Sequence, residues 1–227
     1  MKTNTLLITV LAAGLVVAAE AQNKTAINIE YPKPQFSGTP PDIKKHTRFD
    51  TYPHENPRPP IEVPVGCDKV LSRDCRVTSS DPSPLCGELS YITDGEKEWD
   101  ASTYVELAPG LQWVQIDLGK ACEIYAACVW HCFRQGRVYR AVICQISNDP
   151  DFIDDVVTVF NNDYQNLAKL GEGKDKEYLE SNYGRPFAIR AVKGRYVRFY
   201  SKGNTSNQTN HYVEIEVYGK GASPDGE

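Results

Sequence analysis

Residues 211–219 read HYVEIEVYG. Val213, Ile215 and Val217 fall on one side of an extended chain and Glu214 and Glu216 on the other, because successive side chains of a strand point to opposite faces. The same period recurs upstream. In QWVQIDLG (112–119), Val114, Ile116 and Leu118 alternate with Gln115 and Asp117. In RAVICQIS (140–147), Val142, Cys144 and Ile146 alternate with Ala141, Ile143 and Gln145. RYVRFYS (195–201) sets Val197 and Phe199 against Tyr196, Arg198 and Tyr200. Short alternating runs bounded by Gly, Asn, Asp and Pro predict half-buried strands. Many such strands without βαβ alternation predict an antiparallel sandwich or barrel. Only residues 165–182 (QNLAKLGEGKDKEYLESN) have room for short helical turns.

Between two of these strands, SNDPDFIDD (147–155) crowds four aspartates into seven positions. Asn and Asp bond their own backbone in turns, and Pro150 presets φ for one. An EF-hand loop would need a Gly at its sixth position, which this stretch lacks. The expectation is a turn.

The N-terminus has one early lysine, Lys2, then an apolar run from Leu6 to Ala19 and a small-x-small site at Ala19-Glu20-Ala21. That pattern predicts a signal peptide over 1–21, too short to span a bilayer, and a secreted or periplasmic chain that is not an integral membrane protein. No cysteine precedes Cys67, so a lipid anchor after the cleavage site is not expected. The formal net charge is -5, and no basic cluster offers phosphate contacts, which argues against a nucleic-acid partner. Residues 22–66 hold nine of the fifteen prolines. Proline fixes φ and lacks an N–H, so this segment should be extended: a linker, or a strip along the domain surface. The folded domain is then 67–219, with a flexible tail over 220–227. Seven cysteines in an exported chain predict at least two disulfides, with one thiol left over.

The order of the pieces adds a resemblance. An Asp-Gly turn in ITDGEKEWDASTYVEL precedes WVQIDLG, the S-N-D turn follows, and RYVRFY leads to EIEVYG at the end. Over about residues 67–219 this resembles the discoidin family, also called the coagulation factor five/eight (F5/8) type C domain, among the galactose-binding-like jelly rolls. The resemblance implies an all-β, antiparallel jelly-roll β-sandwich that binds ligands with loops at one rim. It also implies a structural calcium ion (Ca2+), with side-chain ligands Asp94 and Glu214, backbone oxygens near Ile92 and Glu96, and an oxygen from Ser102. Hard oxygens of this kind suit calcium. Without the resemblance, Asp94-Gly95 reads as an ordinary turn and Glu214 as a strand carboxylate.

Sugar sites combine an aromatic platform with planar donors and acceptors for hydroxyls. Family-32 carbohydrate-binding modules, which the chain resembles in this respect, draw His, Arg, Asn and an aromatic from such loops. The matching positions are His131, Arg134 and Arg137 in WHCFRQGRVY, with Trp99 and Tyr104 after the Asp-Gly turn. Asn204, Asn210, His211 and Tyr212 form a second polar cluster. Each of these residues also has a plain reading as a turn residue. The functional expectation is an exported, non-catalytic carbohydrate-binding module whose partner is an extracellular glycan or cell-surface component. The alternative is an adhesion or scaffolding domain that binds a protein or membrane surface.

Other chemistry has little support. CVWHC (128–132) inverts the haem-attachment order C-x-x-C-H. On a strand, Cys128 and Cys132 would stand roughly 13 Å apart at about 3.3 Å per residue, too far to share a zinc ion. Neither G-x-S-x-G nor H-E-x-x-H occurs, so no enzyme activity is expected.

Overall fold

The structure is a computed structural model that describes residues 23–36, 38–43, 45–98 and 103–221. The expected signal peptide lies outside the described residues, as does most of the expected tail. The architecture is an all-β antiparallel jelly-roll sandwich. In chain order the strands are β1 (Lys24–Ala26), β2 (Glu62–Pro64), β3 (Lys69–Val70), β4 (Arg76–Ser79), β5 (Val105–Leu107), β6 (Gln112–Trp130), β7 (Ile143–Ser147), β8 (Val157–Asn161), β9 (Arg185–Ser201), β10 (Asn210–Tyr212) and β11 (Glu214–Lys220). No described helix is long and apolar enough to cross a membrane.

Two long strands make the layers. β6 and β9 pair along nearly their whole lengths, with register shifts between Asp117 and Cys122 and between Ile124 and Ala126. Before the shifts β6 also pairs with β4, and after them with β11. The far edge of β9 carries β7, which carries β8. The halves of β6 therefore belong to opposite layers, and Val114 and Ile116 from one half meet Ile124, Ala127 and Val129 from the other in a single core. Val114 and Ile116 of QWVQIDLG are fully enclosed as expected, but Gln115 on the other face is buried as well, where it accepts from Arg198.

Two expectations need correction. Residues 165–182 form turns and irregular chain, and the one helical turn among the described residues is a 3₁₀ turn at Leu89–Thr93. The 163–168 turn is held by the Asp163 carboxylate, which accepts the backbone N–H groups of Leu167 and Ala168. A side chain that satisfies backbone donors in this way competes with helix formation. The second correction concerns β11. Glu214 and Glu216 are as buried as their apolar neighbours rather than half-solvated. Two segments cover the outer face of β6 and β11: the 94–97 turn, whose Gly95 N and Lys97 Nζ donate to Glu214 and Glu216, and the proline-rich segment. β1 and β2 pair antiparallel, and Ile27 and Val63 pack with Cys128, Trp130, Phe133 and Tyr218 in a second core. Burial of an aliphatic side chain stabilises by roughly 1.5–3 kcal/mol, so this strap is held by more than chain connectivity. All seven cysteines are free thiols in this structure. Cys128 lies in the second core and Cys144 in the first, both fully enclosed. Burial alone pushes the Cys144 thiol up.

The SNDPDFIDD stretch is the expected turn. Asp149 accepts the N–H groups of Asp151, Ile153 and Asp154, which hold its carboxyl below the usual range.

Candidate functional site

At one end of the sandwich, β10 pairs with β5 so that His211 stands opposite Glu106 and Tyr212 opposite Val105. The chain leaving β6 at Trp130 runs through 131–142 beside this pair. Backbone bonds from Arg140 to Gly203 and from Thr205 to Val138 pin that loop to the 202–205 turn. The two polar clusters expected from the sequence, 131–137 and 204–212, therefore meet at one rim.

His131 is fully buried. Its Nδ1 lies 2.6 Å from Glu180 Oε1, and its ring stacks on Tyr139 at 4.4 Å between centroids. His131 Nε2 and Glu180 Oε2 are enclosed without hydrogen-bond partners. The Tyr139 hydroxyl lies 2.9 Å from His211 Nδ1, and His211 Nε2 lies 3.4 Å from Glu106 Oε1. Burial, ahead of the opposing pull of Glu106, pushes His211 down to about 4. Its imidazole is therefore neutral at physiological pH and can both donate and accept.

Arg137 is half-buried in the same loop, and its nearness helps to keep His211 uncharged. Its Nη2 donates to Gln135 Oε1 at 2.9 Å, while Nε and Nη1 are enclosed without acceptors. Arg134 is exposed. Tyr104 precedes β5 with its ring centroid 6.1 Å from that of His211.

The remaining residues of the second cluster build the fold. The Asn210 amide uses its whole hydrogen-bonding capacity: Oδ1 accepts from Ser201 Oγ and Gly203 N, and Nδ2 donates to the carbonyls of Ala108 and Gly110. Asn204 is likewise saturated within its own turn, by Ser206, Asn207 and Thr209. Tyr212 is fully enclosed with its hydroxyl 3.0 Å from Ser201 Oγ. Trp99 and Ser102 lie outside the described residues. Tyr104, Arg134, Arg137 and His211 are thus the expected residues that the rim brings together with chemistry to spare. The sequence reading did not include Glu106, Tyr139 and Glu180. Tyr139 could have been found from its place in the 131–142 loop, but nothing local marks Glu180, which reaches His131 across 49 residues of chain.

The proposed cation ligands surround the Asp-Gly turn. Gly95 N donates to Glu214 Oε2 at 3.1 Å, and Glu214 Oε1 is enclosed with no partner. Burial pushes the Glu214 carboxyl up to about 9. Asp94 is exposed, and its Oδ1 accepts Glu96 N at 2.8 Å. Ile92 is buried at the end of the 3₁₀ turn. Two side-chain cations stand close by: Arg73 Nη1 donates to the Asp94 carbonyl at 2.5 Å, and Lys97 Nζ pairs with Glu216 at 2.8 Å. The orphaned Glu214 oxygen fits a hard cation, while Arg73 competes for one carbonyl of the same turn. Among the described residues, no three His, Cys, Asp or Glu side chains converge as a metal site.

No family model and no curated protein matches the chain. Solved structures do. A family 89 glycoside hydrolase from Clostridium perfringens, in complex with 2-acetamido-1,2-dideoxynojirmycin, is similar with a TM-score of 0.51 and 18% identity over 70% of this chain. This chain spans only 16% of that enzyme. The CBM32 domain of AlyQ, in complex with 4,5-unsaturated mannuronic acid, gives a TM-score of 0.48 at 20% identity, covering 64% of this chain and 95% of that one. Chitosan-binding module 1 of a Paenibacillus sp. IK-5 chitosanase/glucanase gives 0.48 at 20%, covering 66% and 99%. At these identities the likeness is one of fold.

Proposed function

We propose that the chain is an exported, non-catalytic module that holds carbohydrate at the rim formed by Tyr104, Arg134, Arg137 and His211. The observation that carries this reading is Arg137, whose Nε and Nη1 donors are enclosed yet unused. A buried donor without an acceptor costs free energy, so a shift of the exposed Arg134–Gln135 turn that admitted an outside acceptor to these donors would be favoured. A planar guanidinium fork suits vicinal hydroxyls or a carboxylate, and an aromatic ring beside it suits the C–H face of a sugar. Jelly rolls include lectin domains, although fold alone does not assign function. A single shallow site binds weakly, and attachment in tandem or to an enzyme would supply avidity.

The alternative, docking on a membrane, has a specific observation against it. Among the described residues Ile153 is the most exposed large apolar side chain at 79%, but it sits among Asp149, Asp151, Asp154 and Asp155. Such a tip is repelled by an anionic bilayer. An adhesion role toward a protein remains the competing outcome.

The reading includes a structural calcium ion held by Asp94 and Glu214, with the Ile92 and Glu96 carbonyls and Ser102 around it. The orphaned Glu214 oxygen supports it. It also includes one disulfide formed on export, between Cys75 and Cys122. Both pack at the edge of the first core, and the Cys75 thiol is pushed up by burial first, with Asp117 and the nearby Cys122 adding to it. The deciding experiment is a glycan array probed with the mature protein, followed by calorimetry on any hit. No binding across a broad array, with a protein recovered instead, would replace the carbohydrate reading.

A further inference from the structure

The strap does more than cover β11. It crosses the 131–138 loop, where Phe36 and Pro40 lie against Gly136, and turns at Asp50 onto residues 178–184. Between strap and domain it leaves a cavity of about 240 Å³. Tyr52, His54 and Arg58 line it from the strap, and Tyr178, Ser181 and Tyr183 from the domain.

The strap side of this cavity is rigidly built. Asp50 Oδ2 accepts from Arg58 at 2.7 Å and from Arg185 at 2.9 Å, while Oδ1 accepts the Tyr52 backbone N–H. The Tyr52 hydroxyl donates to the Pro57 carbonyl, and the Arg58 guanidinium lies 4.9 Å from the centre of the Tyr52 ring. His54 stacks on Phe36, and its Nε2 lies 2.9 Å from the Gly38 carbonyl oxygen. Such pre-organisation lowers the ordering cost of binding. The walls carry Lys45 and Arg58 against Asp50 and Glu55, so their formal charges cancel and neither a cation nor an anion is favoured. The domain wall includes Tyr178, whose hydroxyl is enclosed and has no hydrogen-bond partner.

We propose that this strap-roofed cavity is a second binding site, separate from the rim, for a neutral polyhydroxylated ligand of about one sugar ring. Its volume lies just below the range of roughly 300–1,000 Å³ typical of sites for drug-sized ligands, which matches a smaller molecule. Tyrosine and phenylalanine faces meet C–H groups, while histidine, serine and tyrosine edges meet hydroxyls. Neither the rim nor its Arg137 contributes to the cavity, so the two sites stand or fall separately.

The test is saturation-transfer NMR on the mature full chain, titrated with methyl glycosides of galactose, glucose, mannose and N-acetylglucosamine. Thr51→Trp and Asn56→Trp each place a plug at an exposed wall position, and a melting curve establishes that at least one folds normally. In an Arg137→Ala chain, whose rim site is disabled, the expected result is saturable binding of a neutral glycoside that the plug weakens at least tenfold. Binding in that chain that survives the plug, or the loss of all binding with Arg137→Ala alone, overturns the proposal. So does the absence of saturable binding to the wild type.

Discussion

The Tyr139 hydroxyl and His211 Nδ1 lie 2.9 Å apart, with Glu106 on the other side of the imidazole, so one buried ring joins the loop after β6 to the β5–β10 pair. Burial pushes His211 down to about 4 from an ordinary 6.5. Between those values the unfolded chain binds a proton that the folded chain refuses. Stability from this group is therefore complete above about pH 6.5 and is lost as the pH falls towards 4. The loss is a few kcal/mol at most, since a tenfold change in proton affinity corresponds to about 1.4 kcal/mol. Melting temperature should fall from pH 7 to pH 5 in the wild type and fall less in His211→Gln. Parallel curves for the two proteins would remove His211 from this role.

Arg137 carries the rim reading, so its substitutions should separate geometry from charge. Arg137→Ala should weaken glycan binding tenfold or more. Arg137→Lys should recover little of it, because an ammonium cannot reproduce the planar fork. Arg134→Ala, an exposed neighbour, should cost less than threefold. Calorimetry on an array-selected glycan checks all three, and full binding by Arg137→Lys would show that only charge was needed.

The strands were legible because alternation picks out the residues that face the core, such as Val114, Ile116, Val197 and Phe199, even though Gln115, Arg198 and Tyr200 on the other face are buried too. The double burial of β11 was not, because nothing in VEIEVYG shows that the 94–97 turn and a proline-rich strap cover its other face. Extended, hydrogen-bond-poor chain can pack through isolated apolar residues such as Ile27 and Val63, which carry no periodic signal. At the rim the residue types were legible, but their roles were not. Asn204 and Asn210 look like ligand donors in sequence, yet long-range partners and their own turn consume them. The partnership of His131 with Glu180 depends on how two distant loops are brought together, which no local pattern encodes.

The calcium proposal gives a stability prediction. If Glu214 Oε1 faces a bound cation, millimolar calcium should raise the melting temperature and a chelator should lower it. Glu214→Gln keeps the shape but removes the charge, so the response should vanish in that variant. If Arg73 serves the turn instead, Arg73→Ala should create a calcium response where the wild type has none. A wild-type melting curve indifferent to both calcium and chelator excludes calcium as a structural element.

Export into an oxidising compartment should close Cys75 and Cys122, while the fully enclosed Cys144 should stay a thiol. Closing a loop of this span would contribute at most about 4 kcal/mol by restricting the unfolded chain. Thiol counting in denaturant without reductant should find no more than five free thiols, and mass spectrometry should recover the Cys75–Cys122 pair. Seven reactive thiols in the exported protein would end this prediction.

The last prediction concerns the strap. Asp50 lies between Arg58 and Arg185, accepting a hydrogen bond from each at its Oδ2. The two guanidinium groups oppose each other, and their charges help to hold Asp50 ionised. Removing the carboxylate leaves two partly buried cations without their common partner, which is the costly way to break such a network. All three side chains keep some solvent contact, so the expected loss is about 1–3 kcal/mol rather than the larger value for a fully enclosed pair. Asp50→Asn should cost nearly as much as Asp50→Ala, because the lost element is charge rather than volume. In both variants limited proteolysis should cut first within residues 39–58, whereas the wild type should resist there. A variant that melts like the wild type and stays resistant would mean that the Ile27 and Val63 contacts alone anchor the segment.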